Sequence, residues 1–245
     1  KMQTATMKNA FHIKCRLGLL LAWATWAAGC APTSHPIIAH RAQGLGLGGE
    51  NEVANIVPAL DAGFGVEIDI RGDGALPFEL GHNAPEGETL DDALDAIDEA
   101  WRDDFVGLPF VLDIADDEQD RVSNELVAHL LDRVEGTDLA RLDWIVQSSN
   151  ETALGRLQAA WAAAETDVDV GFGLTLWTTI EYAVPSWVDY VVTNVNEVPS
   201  WPHPKPLILF GVADRSSYRQ LQNSPSDVAA ILTDHPRRVK GLQSP

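Results

Sequence analysis

Eight short runs rich in Val, Ile and Leu recur along the chain, and their spacing restricts the fold more than any other feature. They cover residues 36–40, 66–70, 109–113, 144–148, 170–175, 187–193, 206–210 and 228–233. Apolar runs with so little alternation are those of strands buried on both faces of a parallel sheet. Between them, residues 52–62, 89–101, 118–134 and 151–164 carry apolar side chains at helical spacing, with Thr89 placed to cap the second of these helices. Eight strands in alternation with helices predict an α/β fold, the (β/α)8 or TIM barrel. One run stands outside the count: residues 76–82 follow the second strand across Gly72-Asp73-Gly74, a tight-turn signal. They are read as a small hairpin insertion after that strand.

Charge narrows the partners. The chain has 245 residues, with 17 Lys+Arg against 36 Asp+Glu and a formal net charge of −19. So acidic a protein does not seek nucleic acid, whose binding is driven by Lys and Arg releasing counterions. Both cysteines, Cys15 and Cys30, lie near the N-terminus, which excludes a disulfide scaffold and a thiolate metal cluster from the body. Lys8, Lys14 and Arg16 precede an apolar stretch over residues 17–28, then Gly29-Cys30. A bilayer span needs about 20 apolar residues, so this shorter run reads as a signal peptide over residues 1–29. Ala27-Ala28-Gly29-Cys30 resembles a bacterial lipobox. The expectation is export to the cell envelope (periplasm or outer membrane), with Cys30 lipidated and residues 30–245 forming one barrel domain. Contact with a membrane would then run only through that lipid anchor. An ordinary cleaved signal with an incidental cysteine is the alternative.

The unusual polar residues fall at strand ends. His40 and Arg41 end the first strand, Asp113 ends the third, Asp234 follows the eighth, and His82 closes the predicted hairpin. Glu67 and Asp69 sit two apart in the second strand, so both project to one face while Val66, Ile68 and Ile70 project to the other. In a barrel the C-terminal strand ends converge on one mouth, where catalytic residues are found. Glu67, Asp69 and Asp113 would crowd like charges into a poorly hydrated place, and Arg41 alone cannot balance them. A divalent ion with oxygen ligands would, and three carboxylates favour Mg²⁺ or Ca²⁺ over zinc. The alternative is that some of these acids cap helices or hold a proton.

Taken in order, His40-Arg41, Glu50-Asn51, Glu67-Ile68-Asp69, His82 and Thr233-Asp234-His235-Pro236 resemble the glycerophosphodiester phosphodiesterases. The resemblance spans residues 36–238. It implies a (β/α)8 barrel that hydrolyses a small-molecule or lipid phosphodiester to an alcohol and a phosphomonoester, with a divalent cation as cofactor. Carried over, it makes Glu67, Asp69 and Asp113 the metal ligands, His40 and His82 the acid/base pair, and puts Arg41 on the phosphate. Glu50 and Asn51 are secondary candidates for substrate binding. The chain departs from the family in reading Asp113-Ile114-Ala115 where Glu-Ile-Lys is usual, with Ala42 after His-Arg and Asn83 after the second histidine. The absent lysine removes a positive charge from the phosphate, for which Arg215, just after the seventh strand, is a candidate replacement.

Three competing readings remain at this level. Gly44-Leu45-Gly46-Leu47-Gly48-Gly49 satisfies the dinucleotide-binding pattern, with Glu67 near the place of a ribose-binding acid. Against it, His40-Arg41-Ala42-Gln43 separates the glycines from the strand, and eight strands exceed what that fold needs. A phospholipase D or sphingomyelinase D-like enzyme on the same barrel would suit Asp113 as third ligand. A barrel that has lost turnover would suit Ala115.

Overall fold

The computed structural model describes residues 34–46, 48–71, 77–83, 87–114, 122–177, 183–198 and 200–243. The predicted signal peptide, Cys30 and Ala115 lie outside the described residues. All eight expected strands are present: β1 (Ile37–Ala39), β2 (Gly65–Arg71), β4 (Pro109–Ile114), β5 (Asp143–Ser148), β6 (Val170–Leu176), β7 (Tyr190–Asn194), β8 (Leu207–Phe210) and β9 (Val228–Thr233). Each pairs in parallel with the next, and β1 pairs with both β2 and β9, so the sheet closes on itself. The predicted (β/α)8 barrel is therefore observed. The turn of the hairpin read over residues 76–82 lies outside the described residues. What the structure shows is a two-residue strand, β3 (Glu79–Leu80), antiparallel to Ile70–Arg71.

Alternation along the strands sorts side chains into two apolar layers. Val66, Ile68, Ile70, Phe110, Leu112 and Trp144 join the outer layer beneath the helices. Ile38, Val111, Ile145, Val192, Ile208, Ala230 and Leu232 form a separate inner cluster that fills the barrel. On β6 the inward positions include Gly171, where a Cβ would lie 2.7 Å from Tyr190 Cε2. That glycine makes room for the Tyr190 ring, so the barrel axis is packed and not a pore.

The helices α1 (Val53–Asp61), α2 (Leu90–Glu99), α3 (Val122–Val134), α4 (Glu151–Ala163), α5 (Arg215–Gln222) and α6 (Pro236–Gln243) surround the sheet. Thr89 caps α2 as predicted: Asp92 N–H donates to Thr89 Oγ1 at 3.1 Å, and Thr89 N–H donates to Asp92 Oδ2 at 2.9 Å. That reciprocal box satisfies two otherwise orphaned N–H groups. Between β7 and β8 the described residues hold only the 3-10 turn Val195–Glu197. Among the described residues, no helix is long and apolar enough to cross a membrane.

Candidate active site

Strand register builds the acidic cluster. Val66, Ile68 and Ile70 face the helices, so Glu67 and Asp69 face the barrel interior. Asp69 pairs in register with Asp113 on β4, which sets the third acid at the same level. Carboxylate oxygens of Glu67, Asp69 and Asp113 lie within 4.8 Å of one another, and Glu67 and Asp69 are 0% and 2% exposed. Two ionised groups at 4.8 Å repel by about 3.5 kcal/mol at an effective dielectric of about 20. Burial, reinforced by the charges of Asp69 and Asp113 and opposed by His40 and the Arg41 N–H, pushes Glu67 up to about 8. Its Oε2 accepts the Arg41 backbone N–H at 2.6 Å, while its Oε1 is buried with no hydrogen-bond partner. Three carboxylates, an orphaned buried oxygen and strained ionisation together fit a hard divalent cation.

The turn after β1 wraps onto this cluster. Arg41, Ala42 and Asn51 have φ of 52°, 53° and 55°, a left-handed backbone that non-glycine residues adopt at a cost of order 1–3 kcal/mol each. The conformation is what aims the Arg41 N–H at Glu67. The Arg41 carbonyl in turn accepts from Asn51 N–H at 2.7 Å. Asn51 is buried and binds Asp69 twice: Nδ2 donates to Oδ2, and Oδ1 accepts from the Asp69 N–H, both at 2.9 Å. The Arg41 guanidinium donates from Nη1 to Glu50 Oε2 at 2.6 Å. Its Nε lies 3.3 Å from Asp69 Oδ2 without hydrogen-bond alignment. Glu50 and Asn51 thus act on Arg41 and Asp69, fixing the groups that border the cluster.

Both candidate histidines sit at the same mouth, each backed by a carboxylate. His40 Nδ1 lies 2.7 Å from Asp234 Oδ1, and His82 Nδ1 lies 2.9 Å from Asp69 Oδ1. Burial draws the His40 pKa down, but the Asp234 hydrogen bond and the charges of Glu67 and Asp234 outweigh it and raise it to about 8. Arg71, the last residue of β2, holds the His82 loop: its Nε donates to the carbonyls of Gly81 and His82, each at 3.1 Å, and its Nη2 donates to the His82 carbonyl at 2.5 Å. Arg71 was not among the sequence candidates. The available signal was a cation ending the strand that carries two inward acids.

Other residues distribute more widely. Arg215 is exposed at the start of α5, in a turn capped by Asp214. Gln147 stands in register with Asp113 and, with Thr175, is buried; Gln147 Oε1 and Thr175 Oγ1 have no hydrogen-bond partner. Alternation in Trp144-Ile145-Val146-Gln147 would have placed Gln147 inward. Trp177, 64% exposed beyond β6, meets Phe210 at the end of β8 with ring centroids 5.4 Å apart. His35 and His203 hydrogen-bond to Val228 O and Lys205 O, and His129 Nε2 lies 3.1 Å from Asp91 Oδ1 without hydrogen-bond alignment.

No protein-family model and no curated protein matches the chain. Solved structures do match in shape. A Galdieria sulphuraria protein assigned to the glycerophosphodiester phosphodiesterases has a TM-score of 0.66 at 14% identity, covering 86% of this chain and 98% of that one. A glycerophosphodiester phosphodiesterase from Parabacteroides distasonis gives 0.63 at 16%, covering 85% and 96%. A phosphodiesterase from Oleispira antarctica, in complex with the product sn-glycerol-3-phosphate, gives 0.61 at 18%, covering 84% and 96%. At such identities the likeness is one of fold, and it spans nearly the whole of each neighbour: the chain shares their barrel.

Proposed function

We propose that this protein is a divergent glycerophosphodiester phosphodiesterase, a metal-dependent hydrolase that cleaves glycerophosphodiesters to an alcohol and glycerol phosphate. The observation that carries the reading is the convergence of three interior carboxylates, two carboxylate-backed imidazoles and Arg41 on one barrel mouth. The barrel shared with phosphodiesterases, one of them holding sn-glycerol-3-phosphate, supports it.

Glu67, Asp69 and Asp113 are the residues that would hold Mg²⁺ or Ca²⁺. Such a cation, when bound, supplies Lewis-acid polarisation of the phosphoryl oxygens and offsets charge developing there. The remaining chemistry belongs to side chains. Arg41 adds a fixed positive charge beside the phosphate. One imidazole takes a proton from the attacking water as its oxygen bonds to phosphorus. The other gives a proton to the alkoxide released when the second P–O bond breaks. General acid–base catalysis contributes about 10²–10⁴ in rate, so charge stabilisation must supply much of the rest. In keeping with its N-terminal pattern, the chain is further proposed to be exported and lipidated at Cys30, which mass spectrometry of the mature N-terminus would test.

The deciding experiment incubates purified protein with glycerophosphodiesters and lysophospholipids, with Mg²⁺, Ca²⁺ or chelator, and follows products by phosphorus NMR. Metal-dependent release of glycerol phosphate is expected. A cyclic phosphate product would favour the phospholipase D-like reading that Asp113 keeps open. Bound metal without turnover of any diester would leave a barrel that has lost catalysis.

A further inference from the structure

The exits of β1 and β9 are locked side by side. Ala39 and Thr233 are register partners at the parallel β1–β9 junction, so the next residues, His40 and Asp234, emerge together at the mouth. Thr233 Oγ1 donates to the Val212 carbonyl at 2.7 Å and accepts the His235 N–H at 3.1 Å, which fixes the β9 exit. Gly44, the first glycine of the glycine-rich stretch, packs against it. Gly44, at φ +84°, packs so tightly that a Cβ there would lie 2.1 Å from the Asp234 carbonyl oxygen and 2.6 Å from Pro236 Cδ. Only glycine allows this approach, which gives the first glycine of the dinucleotide-like motif a structural reason unrelated to phosphate binding.

We infer that Asp234 is a positioning residue for His40, and that Gly44 exists to let it sit there. A carboxylate only accepts hydrogen bonds, so the 2.7 Å contact requires the proton on His40 Nδ1. That fixes the tautomer and the ring plane and leaves Nε2 as the nitrogen offered to the mouth. Unlike Asp69, which also borders His82, Asp234 is not one of the cluster acids, so holding His40 takes no oxygen from the cluster.

The inference rests on the phosphodiesterase reading for its kinetic arm only. The primary test is nitrogen-15 NMR of the histidine rings in the intact protein at alkaline pH, comparing wild type, Asp234→Ala, Asp234→Asn and Asp234→Glu. The wild-type His40 ring should carry its proton on Nδ1. Asp234→Ala should move it to Nε2, and Asp234→Glu should restore the wild-type tautomer in part. Asp234 is 54% exposed, so folding should survive; Asp234→Asn keeps the shape while losing the obligatory acceptor. In turnover assays Asp234→Ala should lower kcat about 10²-fold at unchanged KM, and Gly44→Ala should act in the same direction. A wild-type tautomer in Asp234→Ala and Asp234→Asn overturns the inference whatever happens to turnover. If wild type cleaves no diester, the functional reading fails and the tautomer result still decides this one.

Discussion

Replacing Glu67 with glutamine separates stability from metal binding in opposite directions. Glu67 is fully buried between two other acids and is held protonated to higher pH than in the unfolded chain, with its pKa moved from 4.5 to about 8. A carboxyl whose pKa is raised by folding contributes stability that is complete below the unfolded value and is lost as pH rises through the folded one. Each pH unit in that window costs about 1.4 kcal/mol. Metal-free Glu67→Gln should therefore match wild type near pH 4.5 and exceed it by up to about 3 kcal/mol at pH 7. The amide retains an acceptor for the Arg41 N–H, so little else changes. With a divalent ion the order should reverse. Wild type gains about 2.7 kcal/mol at an ion concentration 100-fold above Kd, and the variant, lacking one anionic ligand, gains far less. Urea unfolding in chelator and in Mg²⁺ or Ca²⁺ at both pH values reads each term. The reasoning is refuted if Glu67→Gln is less stable than wild type in chelator at pH 7, or if no divalent ion moves the wild-type midpoint.

Other perturbations address the imidazoles and the frame. His40→Ala should abolish diester turnover, measured by phosphorus NMR, while calorimetric metal binding stays near wild type. Because folding raises the His40 pKa from 6.5 to about 8, protonated His40 contributes about 2 kcal/mol that is lost as pH rises through that window, beside the Glu67 loss; measured in the Glu67→Gln background, that increment should be present with His40 and absent in His40→Ala. Arg71→Ala frees the Gly81 and His82 carbonyls, so kcat should fall by up to about 10²-fold with faster amide exchange around His82. Thr89→Ala removes the α2 capping box and should cost about 1 kcal/mol in urea unfolding, with kcat unchanged.

The barrel was legible because its strands are buried on both faces and so read as unbroken apolar runs; the 66–70 run, for example, falls within β2. Alternation alone put Glu67 and Asp69 on one face. Register was not legible: that Asp113 stands level with Asp69, or that His40 meets Asp234 across 194 positions, depends on which strands pair and how. Nor does sequence announce a left-handed backbone at Arg41, Ala42 and Asn51, since no glycine marks it. The misleading motif was the glycine-rich loop, whose tight approach is made to Asp234. The one local signal for Arg71, a cation ending a strand with two inward acids, does not give its partners, which are the carbonyls of a loop ten residues on.

The central claim is that three interior acids share one hard cation, and anomalous diffraction from crystals grown with Mn²⁺ as a probe tests it most directly. The account predicts a single strong peak within coordination distance of Glu67, Asp69 and Asp113, lost in Glu67→Gln. Mn²⁺ bound elsewhere, or these carboxylates left without an ion at millimolar Mn²⁺, would contradict it.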